Sequence, residues 1–144
     1  MNRKIIFRGK RFDNGEWVYG SLAETHGKLF IGIPTGPDNP VYMMDWYAVD
    51  PDTVGQFAGL FDKNGKEIYE GDIFTVGGEY PKLIEYRQEY AGFCMANIGD
   101  LEWRPYIYPW CQIRPDWWSG YKREVMLIGS IHDTPDIPEL LNEK

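Results

Sequence analysis

Turn chemistry cuts this chain into pieces too short for a long helix. Asn14-Gly15, the stretch Pro34-Thr35-Gly36-Pro37-Asp38-Asn39-Pro40, Asp50-Pro51, Asn64-Gly65, Glu70-Gly71-Asp72 and Gly77-Gly78 follow one another along the sequence. Glycine supplies positive φ and proline fixes φ while removing a donor, so each of these marks a bend or break. The runs between them are β-branched and aromatic: Ile5-Ile6-Phe7, Trp17-Val18-Tyr19, Lys28 to Ile33, Val41 to Val49, Ile73 to Val76, Lys82 to Tyr86, Phe93 to Ala96 and Val125 to Ile131. Counted with the segments beside the Asn-Gly pairs, about nine short strands are expected, at the spacing of sandwiches and barrels. The fold class is all-β with little helix, and the only helix expected is in the tail, over Ile137 to Glu143, where Pro138 suits a first turn.

Both Asn-Gly pairs suit a two-residue type I′ turn. At Asn14-Gly15 that turn sets Asp13 opposite Glu16 and Phe12 opposite Trp17. At Asn64-Gly65 it sets Lys63 opposite Lys66 and Asp62 opposite Glu67, and such like-charge pairs are unfavourable, so another register or full exposure is implied there.

The length of 144 residues fits one domain, or a domain with a smaller β subdomain, and the division expected is 1–55 and 56–144. No apolar run approaches the ~20 residues of a membrane span, and the charged start Met1-Asn2-Arg3-Lys4 is followed by no apolar core of a secretory signal, so a cytoplasmic protein with no membrane partner is expected. In that compartment Cys94 and Cys111 are expected as two reduced, buried thiols. The net charge of −7 opposes duplex-DNA binding. Arg3, Lys4, Arg8, Lys10 and Arg11 nevertheless make the N-terminal strand basic, read either as solvated edge-strand charges or as a phosphate-contacting arm.

The stretch Gly59-Leu60-Phe61-Asp62-Lys63-Asn64-Gly65-Lys66-Glu67-Ile68-Tyr69-Glu70-Gly71-Asp72-Ile73 resembles the central signature of YopX-like phage and prophage proteins. Phe7-Arg8-Gly9-Lys10 near the start is similar as well. So is Ile128-Gly129-Ser130-Ile131 with Pro138-Glu139-Leu140 at the end, although Ser130 stands where Asn is usual. The resemblance implies a β-rich fold whose C-terminal part is similar to an SH3-type roll, and an origin in a phage or integrated prophage; the N-terminal β-hairpin and meander region read from the turns above is expected to pack on that SH3-like roll, in a bacterial host cell. It implies no established activity and no catalytic residues.

Residue chemistry points to no catalytic constellation. Asn64-Gly65 and Glu70-Gly71-Asp72 have a structural reading as turns, against a carboxylate site of Asp62, Glu67, Glu70 and Asp72. His26, His132, Cys94 and Cys111 lack metal-ligand spacing, and Gly77-Gly78 lacks the Lys-Ser/Thr of a phosphate loop, so no metal and no cofactor is implied. The unusual segment is Leu101 to Tyr121, whose Trp103, Arg104, Tyr106, Tyr108, Trp110, Arg114, Trp117, Trp118 and Tyr121 lie among Pro105, Pro109 and Pro115, a pattern read as non-helical. Three readings stand: core-filling aromatics, a protein interface, or a platform for stacking nucleobases. The expectation is a non-enzymatic phage accessory protein that associates with itself and with a host or phage protein. The alternative is a nucleotide or single-stranded nucleic-acid binder using residues 101–123.

Overall fold

A computed structural model of the chain describes residues 4–36, 43–103 and 108–133, with only the backbone of Glu102 and Trp103. The chain divides between Phe57 and Ala58 into two units. Strand β5, Gly55–Phe61, gives its first three residues to one and its last four to the other.

In the first unit β1 (Phe7–Lys10), β2 (Trp17–Thr25), β3 (Lys28–Pro34) and β4 (Met44–Val49) are antiparallel neighbours in the order β4-β3-β2-β1, and β5 lies beside β1. The far end of β1 turns to β4: Arg11 bridges Val49, the Phe12 N–H donates to the Ala48 carbonyl at 3.2 Å and the Asp50 N–H to that of Lys10 at 2.8 Å. Four strands thereby close on themselves, which removes a sheet edge. Val18, Ile31 and Val49 fill the inside, with Phe7, Leu22 and Leu29 against them. So narrow a closure needs missing side chains. A Cβ on Gly20 would stand 2.1 Å from the Gly32 carbonyl oxygen, so β2 and β3 approach this closely only with glycine at that point.

The type I′ turn sits where the sequence reading did not look for it, at His26-Gly27, with φ of 52° and 77° between paired Thr25 and Lys28. At Asn14-Gly15 only Gly15 has positive φ, and the expected register is corrected: Lys10, not Phe12, faces Trp17. The Asn14 side chain accepts the Glu16 N–H at 2.9 Å and Arg11 pairs with Asp13, which holds a wider loop and leaves Phe12 exposed. The slip is two residues, so every side chain keeps its face.

In the second unit β6 (Glu67–Tyr69) is followed by β7 (Asp72–Val76), β8 (Glu79–Arg87), β9 (Gly92–Asn97), β10 (Cys111–Gln112) and β11 (Val125–Ser130). The last five form an antiparallel sheet in the order β10-β9-β8-β7-β11. Alternation sends Phe74, Ile84 and Val125 into one core with Ala58, Ile68 and Trp118. It sends Ile73 and Leu83 into another with Ile98, Trp110 and Ile131. Helices cover what the strands leave bare: α1 (Ile98–Trp103) brings Ile98, and α2 (Pro115–Tyr121) brings Trp118. Both correct the expectation that this stretch holds no helix. Pro115 occupies the first turn, where its missing N–H costs nothing, and Asp116 stands beside it at the positive end.

The all-β class holds, with two short α-helices added among the described residues. No helix among the described residues is long and apolar enough to cross a membrane. Val41, Tyr42 and the tail helix expected over Ile137 to Glu143 lie outside the described residues.

Candidate interaction surface

The aromatic segment divides between core and surface. Trp118 is core: its indole N–H donates to the Phe61 carbonyl at 3.1 Å, and its ring meets Phe74 edge-on at 5.4 Å. Trp117 packs against the same core, 5.1 Å from the exposed Tyr121 ring. Arg114 is exposed beside Asp116 at 3.4 Å, a pair worth little in water. Arg104 and Tyr106 lie outside the described residues, as does the Trp103 side chain.

Tyr108 and Trp110 fold back onto the β8–β9 turn. The Arg87 guanidinium lies 4.8 Å from the Trp110 ring centre and is bracketed by Glu89 at 3.1 Å and Glu85 at 3.4 Å. The Tyr108 hydroxyl donates to Glu89 at 2.8 Å, and its ring stacks on Tyr90 with centroids 6.3 Å apart and planes 6° from parallel. The Glu89 backbone N–H, the Tyr108 hydroxyl and Arg87 together hold the Glu89 carboxyl down at about 2. Partial burial, then the hydrogen bond to Glu89, push the Tyr108 hydroxyl up. Tyr86, meeting Phe93 edge-on, Tyr90 and Tyr108 remain 48%, 41% and 48% exposed. A turn at Gln88–Tyr90, closed by Ala91 with φ of 49°, positions them.

Sequence reasoning missed Arg87, Glu89 and Tyr90 because they lie outside the aromatic-rich stretch. The spacing Tyr86-Arg87-Gln88-Glu89-Tyr90, two tyrosines flanking charges at the end of a strand, was the available signal.

Backbone N–H groups engage Asp62, Glu70 and Asp72 of the signature, and a tyrosine hydroxyl engages Glu67. Only Gly65 of the Asn64-Gly65 pair has positive φ, so the Asp62 N–H reaches the Lys66 carbonyl at 2.9 Å and a three-residue turn sets Asp62 opposite Lys66. The expected Lys63–Lys66 pairing is corrected, and like charge is exchanged for opposite charge. Asp62, 1% exposed, accepts the N–H groups of Asn64 at 2.8 Å, Lys66 at 2.9 Å and, across 65 residues, Leu127 at 3.1 Å. Burial pushes its carboxyl up, but these N–H groups outweigh that and hold it below the usual range. The Lys63 N–H donates to the Val125 carbonyl at 2.8 Å, so this turn docks on the outer edge of β11. Asp72 accepts the Tyr69 N–H at 2.7 Å, Glu70 the Tyr86 N–H at 3.3 Å, and Glu67 the Tyr69 hydroxyl at 3.2 Å.

The signature that organises this turn and the comparison with known families agree. The profile of the YopX protein family matches residues 6–142. The chain belongs to the YopX family. No curated protein matches the chain. Among solved structures, protein EF1440 from Enterococcus faecalis is similar, with a TM-score of 0.53 and 20% identity over 94% of this chain and 99% of that one. At that identity the likeness concerns the fold.

Both cysteines of this YopX chain are free, but the expectation that both are buried is corrected. Cys94 faces Gln112 and Cys111 faces Met95, so neighbouring strands point the two thiols to opposite faces. Cys94 is buried, which pushes its thiol up, whereas Cys111 on the two-residue edge strand β10 is exposed.

Proposed function

We propose that this YopX protein is a non-enzymatic phage accessory protein that acts by protein association, with itself and with a host or phage protein. The observation that carries the reading is the surface around Arg87, where Tyr86, Tyr90 and Tyr108 stand exposed beside a guanidinium already oriented by Trp110, Glu85 and Glu89. Tyrosine and arginine are the residues that dominate binding hot spots, and rings fixed before contact lose little entropy on binding. The nucleic-acid alternative for residues 101–123 fits this surface less well. Its central cation is bridged by two carboxylates, and the Tyr90 and Tyr108 rings already stack on each other.

Size-exclusion chromatography with light scattering tests the reading, with absorbance at 260 and 280 nm followed across the peak. An oligomer free of excess 260 nm absorbance is expected. A monomer carrying a 260 nm absorber would replace this reading with the nucleotide-binding alternative.

A further inference from the structure

The two Asn-Gly pairs sit in different electrostatic settings. Lys63 and Lys66 flank Asn64-Gly65, whereas Asp13 and Glu16 flank Asn14-Gly15. Both pairs and all four flanking residues are exposed, and a Cβ placed on either glycine would meet nothing within 4 Å. The asparagine side chains differ too. The Asn14 amide oxygen accepts the Glu16 N–H at 2.9 Å, in a loop that Arg11 and Asp13 tie together. The Asn64 side chain makes no hydrogen bond with the described residues, and its backbone N–H is held by Asp62 at 2.8 Å.

We propose that Asn64 deamidates spontaneously in the folded chain, ahead of Asn14, and that its isoaspartyl product loosens the signature turn from β11. The Gly65 amide nitrogen, on losing its proton to hydroxide, attacks the Asn64 side-chain carbonyl carbon. The new carbon–nitrogen bond closes a five-membered imide, and the side-chain nitrogen leaves as ammonia with a proton from water. Water then opens the ring at either carbonyl. One opening leaves aspartate, and the other leaves isoaspartate, whose main chain runs through the side-chain carbon. Negative charge on the attacking nitrogen is favoured by Lys63 and Lys66 at Gly65 and opposed by Asp13 and Glu16 at Gly15. Asp62 and Glu67 temper the first effect and Arg11 the second, so the difference is modest in water. The free Asn64 side chain adds to it, since Asn14 must first release Glu16. Each glycine N–H gives up one bond, Gly65 to the Asp62 carbonyl at 3.0 Å and Gly15 to that of Arg11 at 2.9 Å, so this cost does not separate the sites.

The same carboxylate of Asp62 accepts N–H groups on both sides of the reacting peptide, from Asn64 and Lys66, as well as that of Leu127. Isoaspartate lengthens the main chain between the first two by one carbon, so they no longer converge on one acceptor.

The test is incubation of the full chain in mildly alkaline buffer, sampled over weeks and digested with chymotrypsin, which releases Asp13–Trp17 and Asp62–Tyr69 as separate peptides. Mass spectrometry reads the conversion of amide to acid in each, and isoaspartyl methyltransferase labelling reads isoaspartate. Conversion at Asn64 should exceed that at Asn14 by at least about threefold. Asn64→Gln, whose longer side chain closes the imide poorly, should stay unmodified at that position over the same period. The isoaspartyl protein, separated from the unmodified chain by ion exchange, should unfold at a lower urea concentration than fresh protein. Conversion of Asn14 first, persistence of Asn64 in the folded chain, or an isoaspartyl protein with the unfolding midpoint of fresh protein would overturn the proposal.

Discussion

Replacing Asp62 tests whether the family signature is a structural clasp. Three N–H groups converge on its carboxylate, two from its own turn and one from Leu127. A hydrogen bond to a charged acceptor contributes about 1.5–3 kcal/mol, and a buried donor left without an acceptor costs about 1–3 kcal/mol. Water can replace the carboxylate for Asn64 and Lys66, whose residues are exposed, but less readily for Leu127 inside the β11 edge. Asp62→Ala should therefore destabilise the second unit by roughly 3 kcal/mol. Asp62→Asn, which keeps one acceptor oxygen, should cost roughly 2 kcal/mol. Urea unfolding followed by tryptophan fluorescence and far-ultraviolet circular dichroism measures both. The pH dependence adds a second reading. A carboxyl held below its unfolded value contributes stability above about pH 4, and that contribution fades as pH falls through the lower folded value. The gap between parent and Asp62→Asn should accordingly narrow below pH 4. A loss under about 0.5 kcal/mol for Asp62→Ala would refute the clasp.

Further substitutions probe the rest of the account. Trp118→Ala removes a core ring and leaves the Phe61 carbonyl without its indole donor, and should cost roughly 3–5 kcal/mol in the same unfolding assay. Gly20→Ala drives a methyl group into the Gly32 carbonyl and should destabilise the first unit by roughly 2–3 kcal/mol, read as a lower thermal midpoint. Native protein should give one fast-reacting thiol, Cys111, with Ellman's reagent, and a second, Cys94, only after denaturant is added. The Glu89 carboxyl, followed by carbon-detected NMR titration, should stay ionised until pH falls to about 2, and Tyr108→Phe should raise that midpoint by removing a donor.

Strands and chain reversals were legible in the sequence because glycine, proline and alternation act locally. Turn type was not. Asn14 and Asn64 have the composition of type I′ turns, yet backbone N–H groups donating to the Asn14 and Asp62 side chains select wider turns, while His26-Gly27 adopts the tighter one. The helix α2 was hidden because Pro115 was read as a breaker, whereas at the first turn of a helix it is compatible with the fold. The aromatic stretch was recognised as unusual from composition, but its division between core and surface depends on β8 and β9. Only the register of those strands brings Arg87 and Tyr90 to Trp110 and Tyr108.

The central proposal, association through the surface around Arg87, is tested most directly by sedimentation velocity over a wide concentration range. The parent chain is compared with a Tyr90→Ala/Tyr108→Ala variant whose fold is verified by circular dichroism. The account predicts a sedimentation coefficient that rises with concentration for the parent and stays at the monomer value for the variant. A parent that remains monomeric throughout, or a variant that associates as the parent does, would contradict it.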